Sequence, residues 1–151
     1  MSYRPPRIVI APAAHLLDDL TDTLSLLDRD RDPSLALLRF GAIGNTAARL
    51  RAFLTPATAP CASALADRAA TRLLALADRL GPAWTPPAGR TVTAPATHLL
   101  GLLREEAACL QAEADAGRRL GHLYALGNTA TRLAGLLARE DAASPVGARS
   151  G

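Results

Sequence analysis

The chain has 151 residues, 49% of them apolar but only 3% aromatic, with a formal charge of +3. That length suits one domain with a real hydrophobic core, and a core poor in aromatic and β-branched residues must be built from Leu and Ala, which places the chain in the all-α class. No apolar run approaches the ~18 residues of a membrane helix, and the 17 basic side chains, all Arg, are scattered among 14 acids, so no basic arm for a polyanion forms.

The start, Met1-Ser2-Tyr3-Arg4-Pro5-Pro6, lacks the hydrophobic region of a secretory leader, so the expected compartment is the cytoplasm. Arg7-Ile8-Val9-Ile10 is short and β-prone, as is Arg90-Thr91-Val92-Thr93. The two could pair across a pseudo-twofold axis, although a lone two-stranded ribbon is marginal. The first helix is expected from Pro12, where a missing N–H costs nothing, to about Arg29, with a stripe of Leu16, Leu17, Leu20, Leu24 and Leu27. Asp28-Arg29-Asp30-Arg31-Asp32 then forms a polar turn, with Asp32 as N-cap and Pro33 as first residue of a second helix reaching about Leu54.

Thr55-Pro56-Ala57-Thr58-Ala59-Pro60 ends that helix. A middle helix (61–81) follows from about Cys61 to Leu80, with Leu65, Ala69, Leu73, Leu76 and Leu80 on one face and Gly81-Pro82 as its stop. A Pro-rich linker holding Trp84 leads to a fourth helix from about Pro95 to Ala116; Trp84 reads as a plug over the end of the bundle. Gly117 is expected to break the chain before a fifth helix from about Arg118 to Glu140. Residues 1–140 thus form one helical domain, and Asp141 to Gly151 has the Ser, Pro and Gly content of a disordered tail.

Residues 7–54 recur without a gap at 90–137, with 20 identities over 48 aligned positions. The informative matches, all offset by 83, are Arg7/Arg90, Val9/Val92, Pro12/Pro95, His15/His98, Gly44/Gly127, Asn45/Asn128, Thr46/Thr129 and Arg49/Arg132. A repeat of this length signals a duplicated supersecondary unit. The expected architecture is a pseudosymmetric five-helix bundle made from a duplicated helical hairpin joined by the middle helix. The middle helix has no counterpart after the second copy, so a twofold homodimer is expected to cover the face left short of a partner.

Both copies carry Gly-Asn-Thr-Ala-x-Arg-Leu, at Gly44 to Leu50 and at Gly127 to Leu133. A helix-turn-helix would place its turn at the Gly and so break the apolar phase there. Instead Phe40, Ile43, Ala47, Leu50 and Leu54 keep helical spacing across Gly44, and Leu123, Leu126, Ala130, Leu133 and Leu137 keep it across Gly127. A continuous helix is the better reading. Each glycine then costs about 1 kcal/mol relative to Ala, which close crossing of another helix would offset.

Asn45 with Arg49, and Asn128 with Arg132, project away from the apolar stripe one turn apart, and so can form a second contact surface. Arg with Asn can fork onto a carboxylate, a phosphate or a partner's helix end, whereas the plainer reading is a solvated face. His15 and His98 sit in the first turns of their helices, off the stripe. His15 pairs naturally with the nearby acids Asp18, Asp19 and Asp22, which the second copy does not reproduce, so no metal site is expected. His122 stands alone, and Cys61 and Cys109 read as reduced, partly buried small hydrophobes. No G-x-S-x-G, phosphate loop or Cys–His pair occurs, so no cofactor and no catalytic group is expected.

The Ala/Leu/Arg-rich helices, the absence of Lys and the His-Leu-Leu…Gly-Asn-Thr-Ala-x-Arg-Leu spacing resemble small helical proteins of unknown function from actinomycete genomes. The resemblance covers the two copies and carries no activity across. The reading the residues favour is a non-enzymatic interaction module, a cytoplasmic adaptor or regulator with a protein partner, whose surface comprises Asn45, Arg49, Asn128, Arg132, His15 and His98. Two alternatives stand beside it. One is a nucleic-acid-associated protein using Arg39, Arg49, Arg51, Arg118, Arg119 and Arg132, and the other is a small-ligand binder or enzyme accessory with a pocket between the hairpins.

Overall fold

The computed structural model describes residues 12–29, 32–83 and 94–143. All regular structure among them is helical: α1 (Pro12–Leu27), α2 (Pro33–Ala52), α3 (Ala59–Ala83), α4 (Ala94–Ala112) and α5 (Ala116–Ala143). The expected pairing of residues 7–10 with 90–93, and the expected plug at Trp84, lie outside the described residues.

Helix starts follow from capping chemistry. Asp32 is extended and its carboxylate accepts from the Ser34 N–H, satisfying one of the orphan donors of α2, while Pro33 occupies the first helical position. Thr55 and Thr58 close the connection into α3, each hydroxyl accepting from the other's backbone N–H. The turn between α4 and α5 corrects the expectation of a break at Gly117. The break falls at residues 113–115, where Asp115 Oδ2 accepts from the Arg118 N–H at 2.9 Å, and Gly117 lies inside the first turn of α5. Asp115 stands 83 residues after Asp32, and α5 starts 83 residues after α2.

Helix ends differ more. α1 stops at Leu27 with a turn at Asp28 and Arg29, and α2 stops at Ala52, where the Phe53 N–H turns to the Leu50 carbonyl. α3 runs through Gly81 and Pro82 to Ala83; a Pro this close to a helix end removes few internal bonds, so it does not terminate the helix. α5 also continues past Glu140 to Ala143, shortening the expected tail.

The core is Leu and Ala from all five helices, with Phe40 as its one aromatic among the described residues. Each apolar stripe read along the sequence is buried or packed against that core, from Leu16, Leu20 and Leu24 on α1 to Leu123, Leu126, Ala130 and Leu133 on α5. Burying a Leu contributes roughly 1.5–3 kcal/mol, so this stripe-to-stripe packing dominates the stability. The most extensive pairing is α2 against α5; α1 flanks α2, α4 flanks α5, and α3 packs on α4 and α5.

α2 and α5 run antiparallel: Gly41 faces Thr131, Gly44 faces Gly127, and Arg51 lies over Gly117 and Gly121. At the crossing the contact is reciprocal. A Cβ on Gly44 would stand 3.0 Å from Gly127 Cα and 3.1 Å from Leu123 O, and one on Gly127 would stand 2.9 Å from Gly44 Cα and 2.6 Å from Phe40 O. The neighbours are backbone and cannot swing aside. Both helices also run unbroken through their glycines, which removes a helix-turn-helix at this motif.

Candidate functional site

The Gly-Asn-Thr motif divides by direction. Gly44, Thr46 and Ala47 are buried, as are Gly127, Thr129 and Ala130, and the two glycines form the crossing. Asn45 and Asn128, next to the touching glycines, are exposed, and so are Arg49 and Arg132 one turn further on. Because α2 and α5 are antiparallel, Arg49 and Arg132 diverge from the crossing in opposite directions. Among the described residues, none of these four side chains has a hydrogen-bond or ion-pair partner.

The same outer face of α2 is apolar for much of its length. At ~100° per residue, Leu35, Leu38, Ala42, Asn45, Arg49 and Phe53 fall in one arc, and every one is exposed. Leu38 is 51% and Phe53 48% accessible, and on α5 Tyr124 is 42% accessible beside Asn128. Exposed large apolar side chains gathered on one face are more informative than single ones. Sequence reading singled out the polar members of this face and passed over Leu35, Leu38, Phe53 and Tyr124. They break the apolar period, and that mismatch was the available signal.

The two histidines are exposed at the starts of α1 and α4. His15 Nε2 lies 3.6 Å from Asp19 Oδ2, one turn along its own helix, as the sequence suggested, and among the described residues no carboxylate pairs with His98. No hydrogen bond or ion pair joins either histidine to the Asn–Arg residues, so the six candidates do not converge as one constellation. Cys61 and Cys109 are exposed rather than partly buried. Among the described residues no group of three His, Cys, Asp or Glu side chains could hold a metal ion, and no helix is long and apolar enough to cross a membrane.

A second feature sits where the end of α2 meets the start of α5. Arg119 reaches back from α5 to the carbonyls of Gln111, Glu113 and Ser63 and to the Ser63 hydroxyl, tying the α4–α5 turn to α3. Those carbonyls include orphans of the α4 C-terminus, which a guanidinium can satisfy. Glu113 accepts from the Asp115 N–H through Oε2, and its Oε1 lies 3.8 Å from His122 Nε2. His122 therefore has a neighbour that the sequence did not suggest. Arg51, Glu113, Arg118, Gly121 and His122 line an open groove of about 400 Å³ here.

Other arginines are committed to the fold. Arg68 and Arg72 meet Asp28, and Arg104 meets Asp78 and the Ala77 carbonyl. Compared with family models, with curated proteins and with solved structures, the chain matches none of them.

Proposed function

We propose that the chain is a non-enzymatic helical interaction module, a cytoplasmic adaptor or regulator that docks a protein through the outer face of α2 and α5. The observation that carries this reading is the makeup of that face. Leu35, Leu38, Phe53 and Tyr124 offer apolar area, and Asn45, Arg49, Asn128 and Arg132 surround it with polar groups that have no partner within the described residues. Apolar and aromatic anchors among polar, hydrogen-bonding side chains are the composition of a protein-binding patch.

We further read α1–α2 and α4–α5 as duplicated hairpins related by a local twofold at the Gly44–Gly127 contact. The reciprocal glycine approaches and the shared 83-residue offset of helix starts and Asp caps support this. Such a duplication presents Asn45 and Arg49 a second time as Asn128 and Arg132. A second copy of the chain is one protein that could occupy the face, as a homodimer. A nucleic-acid role has less support, since Arg119 is consumed by backbone carbonyls.

The test is affinity capture with the wild type against an Asn45→Ala/Arg49→Ala/Asn128→Ala/Arg132→Ala variant, with thermal melting as a check on folding. The proposal expects the variant to keep its melting temperature and lose the captured partner. Recovery of the same proteins by both forms would remove the face from consideration.

A further inference from the structure

We infer that the groove between the last turn of α2 and the first two turns of α5 binds an oxyanion, a phosphate or carboxylate group carried on a small molecule. The groove lies at the end of the bundle, and none of its lining residues belongs to the set proposed for protein contact.

Three basic side chains from two helices line it: Arg51 from α2, and Arg118 and His122 from α5. Arg118 and His122 are four residues apart on one helix, so they project from neighbouring turns of the same side. Arg51 arrives from the opposite wall and lies along α5 where that helix has no side chains. A Cβ on Gly121 would stand 2.9 Å from Arg51 Nη1, and one on Gly117 would stand 3.2 Å from Asp115 Oδ2 and 3.9 Å from Arg51 Nε. Two glycines one turn apart are a poor choice for a helix, and no other backbone crosses them. What Gly121 leaves room for is the Arg51 guanidinium, and Gly117 leaves room for the Asp115 carboxylate with Arg51 Nε beyond it.

That guanidinium is then unused. Among the described residues neither Arg51 nor Arg118 has a side-chain hydrogen bond or ion pair, in contrast to Arg119, whose donors reach three carbonyls and a hydroxyl. The acids nearby do not neutralise the pair. Asp115 is turned to the Arg118 backbone N–H, and Glu113 caps the turn through Oε2 while its Oε1 faces His122. Glu113 lines the groove and the Asp115 carboxylate stands at its edge beside Gly117, so what recommends the site for an anion is its two unpaired guanidinium forks rather than a net charge. Planar forks match the paired oxygens of carboxylates and phosphates, which fixes the ligand class. A groove of about 400 Å³ admits the anion with a small organic group attached. His122 lines the same groove, with its Nε2 3.8 Å from Glu113 Oε1.

The experiment is an NMR titration of the full chain labelled with ¹⁵N, observing Arg Nε–H signals and the amides of Gly117, Gly121 and His122. Sodium phosphate, sodium acetate and sodium chloride are added in separate arms at matched ionic strength. The inference expects saturable shifts confined to this groove with phosphate, acetate or both, and none with chloride. Saturation by only one of them assigns the source. Arg51→Ala and Arg118→Ala should each weaken binding at least tenfold, and Arg104→Ala, whose guanidinium is paired with Asp78, should leave it unchanged. Gly121→Ala should keep the fold, since only the mobile end of Arg51 must move, yet weaken binding by displacing that guanidinium. Shifts that fail to saturate, that chloride reproduces, or that survive Arg51→Ala unchanged would overturn the inference. Loss of partner capture in the quadruple variant would not bear on it, so the two proposals fail separately.

Discussion

Gly127 and Gly101 are both helical glycines, and replacing each by alanine should move stability in opposite directions. Around Gly101 a new Cβ meets nothing within 4 Å. Gly101→Ala should therefore gain the helix-propensity difference, about 0.5–1 kcal/mol. At Gly127 the Cβ would press on Phe40 O and Gly44 Cα, both backbone. Forcing the helices apart costs ~1–3 kcal/mol and outweighs the propensity gain. Urea unfolding of the two variants checks both signs, and a stabilised Gly127→Ala protein would mean the crossing is looser than the structure has it. That Gly44 and Gly127 sit at the edge of an apolar stripe is legible in the sequence. That each is the other's partner is not, because the identity of a crossing helix depends on how five similar Leu/Ala stripes choose among one another.

At the level of the element, the α4–α5 turn is the most informative stretch. Its cap, Asp115, accepts from the Arg118 N–H at 2.9 Å, and Asp115→Ala should cost about 1 kcal/mol, measured by thermal or urea unfolding. Arg119→Ala should cost more. It removes a side chain bonded to three carbonyls and the Ser63 hydroxyl, and bonds to a charged donor contribute ~1.5–3 kcal/mol, less where they are exposed. Arg119→Lys should not restore the loss, since a single ammonium cannot span acceptors on two segments. Full rescue by Lys would show that charge alone matters there. The sequence made Asp32 plain as a cap because Pro33 follows it. Asp115 was obscured by Gly117, a residue that ends helices at their C-termini but is tolerated in a first turn. The 83-residue offset held the correcting signal, since Asp115 aligns with Asp32 in it.

For the whole molecule, the question is which faces the fold leaves uncovered. α2 and α5 are central to the packing, yet α2 keeps an exposed arc from Leu35 to Phe53. If a second copy covers that face, sedimentation velocity should show a dimer, and Leu38→Glu with Tyr124→Glu should return it to monomer without lowering its melting temperature. A wild type that stays monomeric at high concentration would leave a different protein as the partner. The alternatives differ in salt response. Binding to a nucleic acid should weaken steeply as salt rises, whereas an apolar patch rimmed by Asn and Arg should respond weakly.

The chain alone specifies the class, the five helices and the buried stripes of α1, α2, α3 and α5, because helical periodicity of Leu and Ala is a local property. The buried face of α4, with Leu99, Leu103, Ala107 and Leu110, emerges only on folding. The chain also specifies which residues of the repeated motif face away from the core. Packing of the helices against one another sets what those residues stand beside. It alone sets Gly44 against Gly127, lays Arg51 across Gly121 and aims Arg119 at the α4 carbonyls. These are contacts between segments up to ~90 residues apart in the chain, fixed by how helices pack into each other's grooves rather than by any local preference.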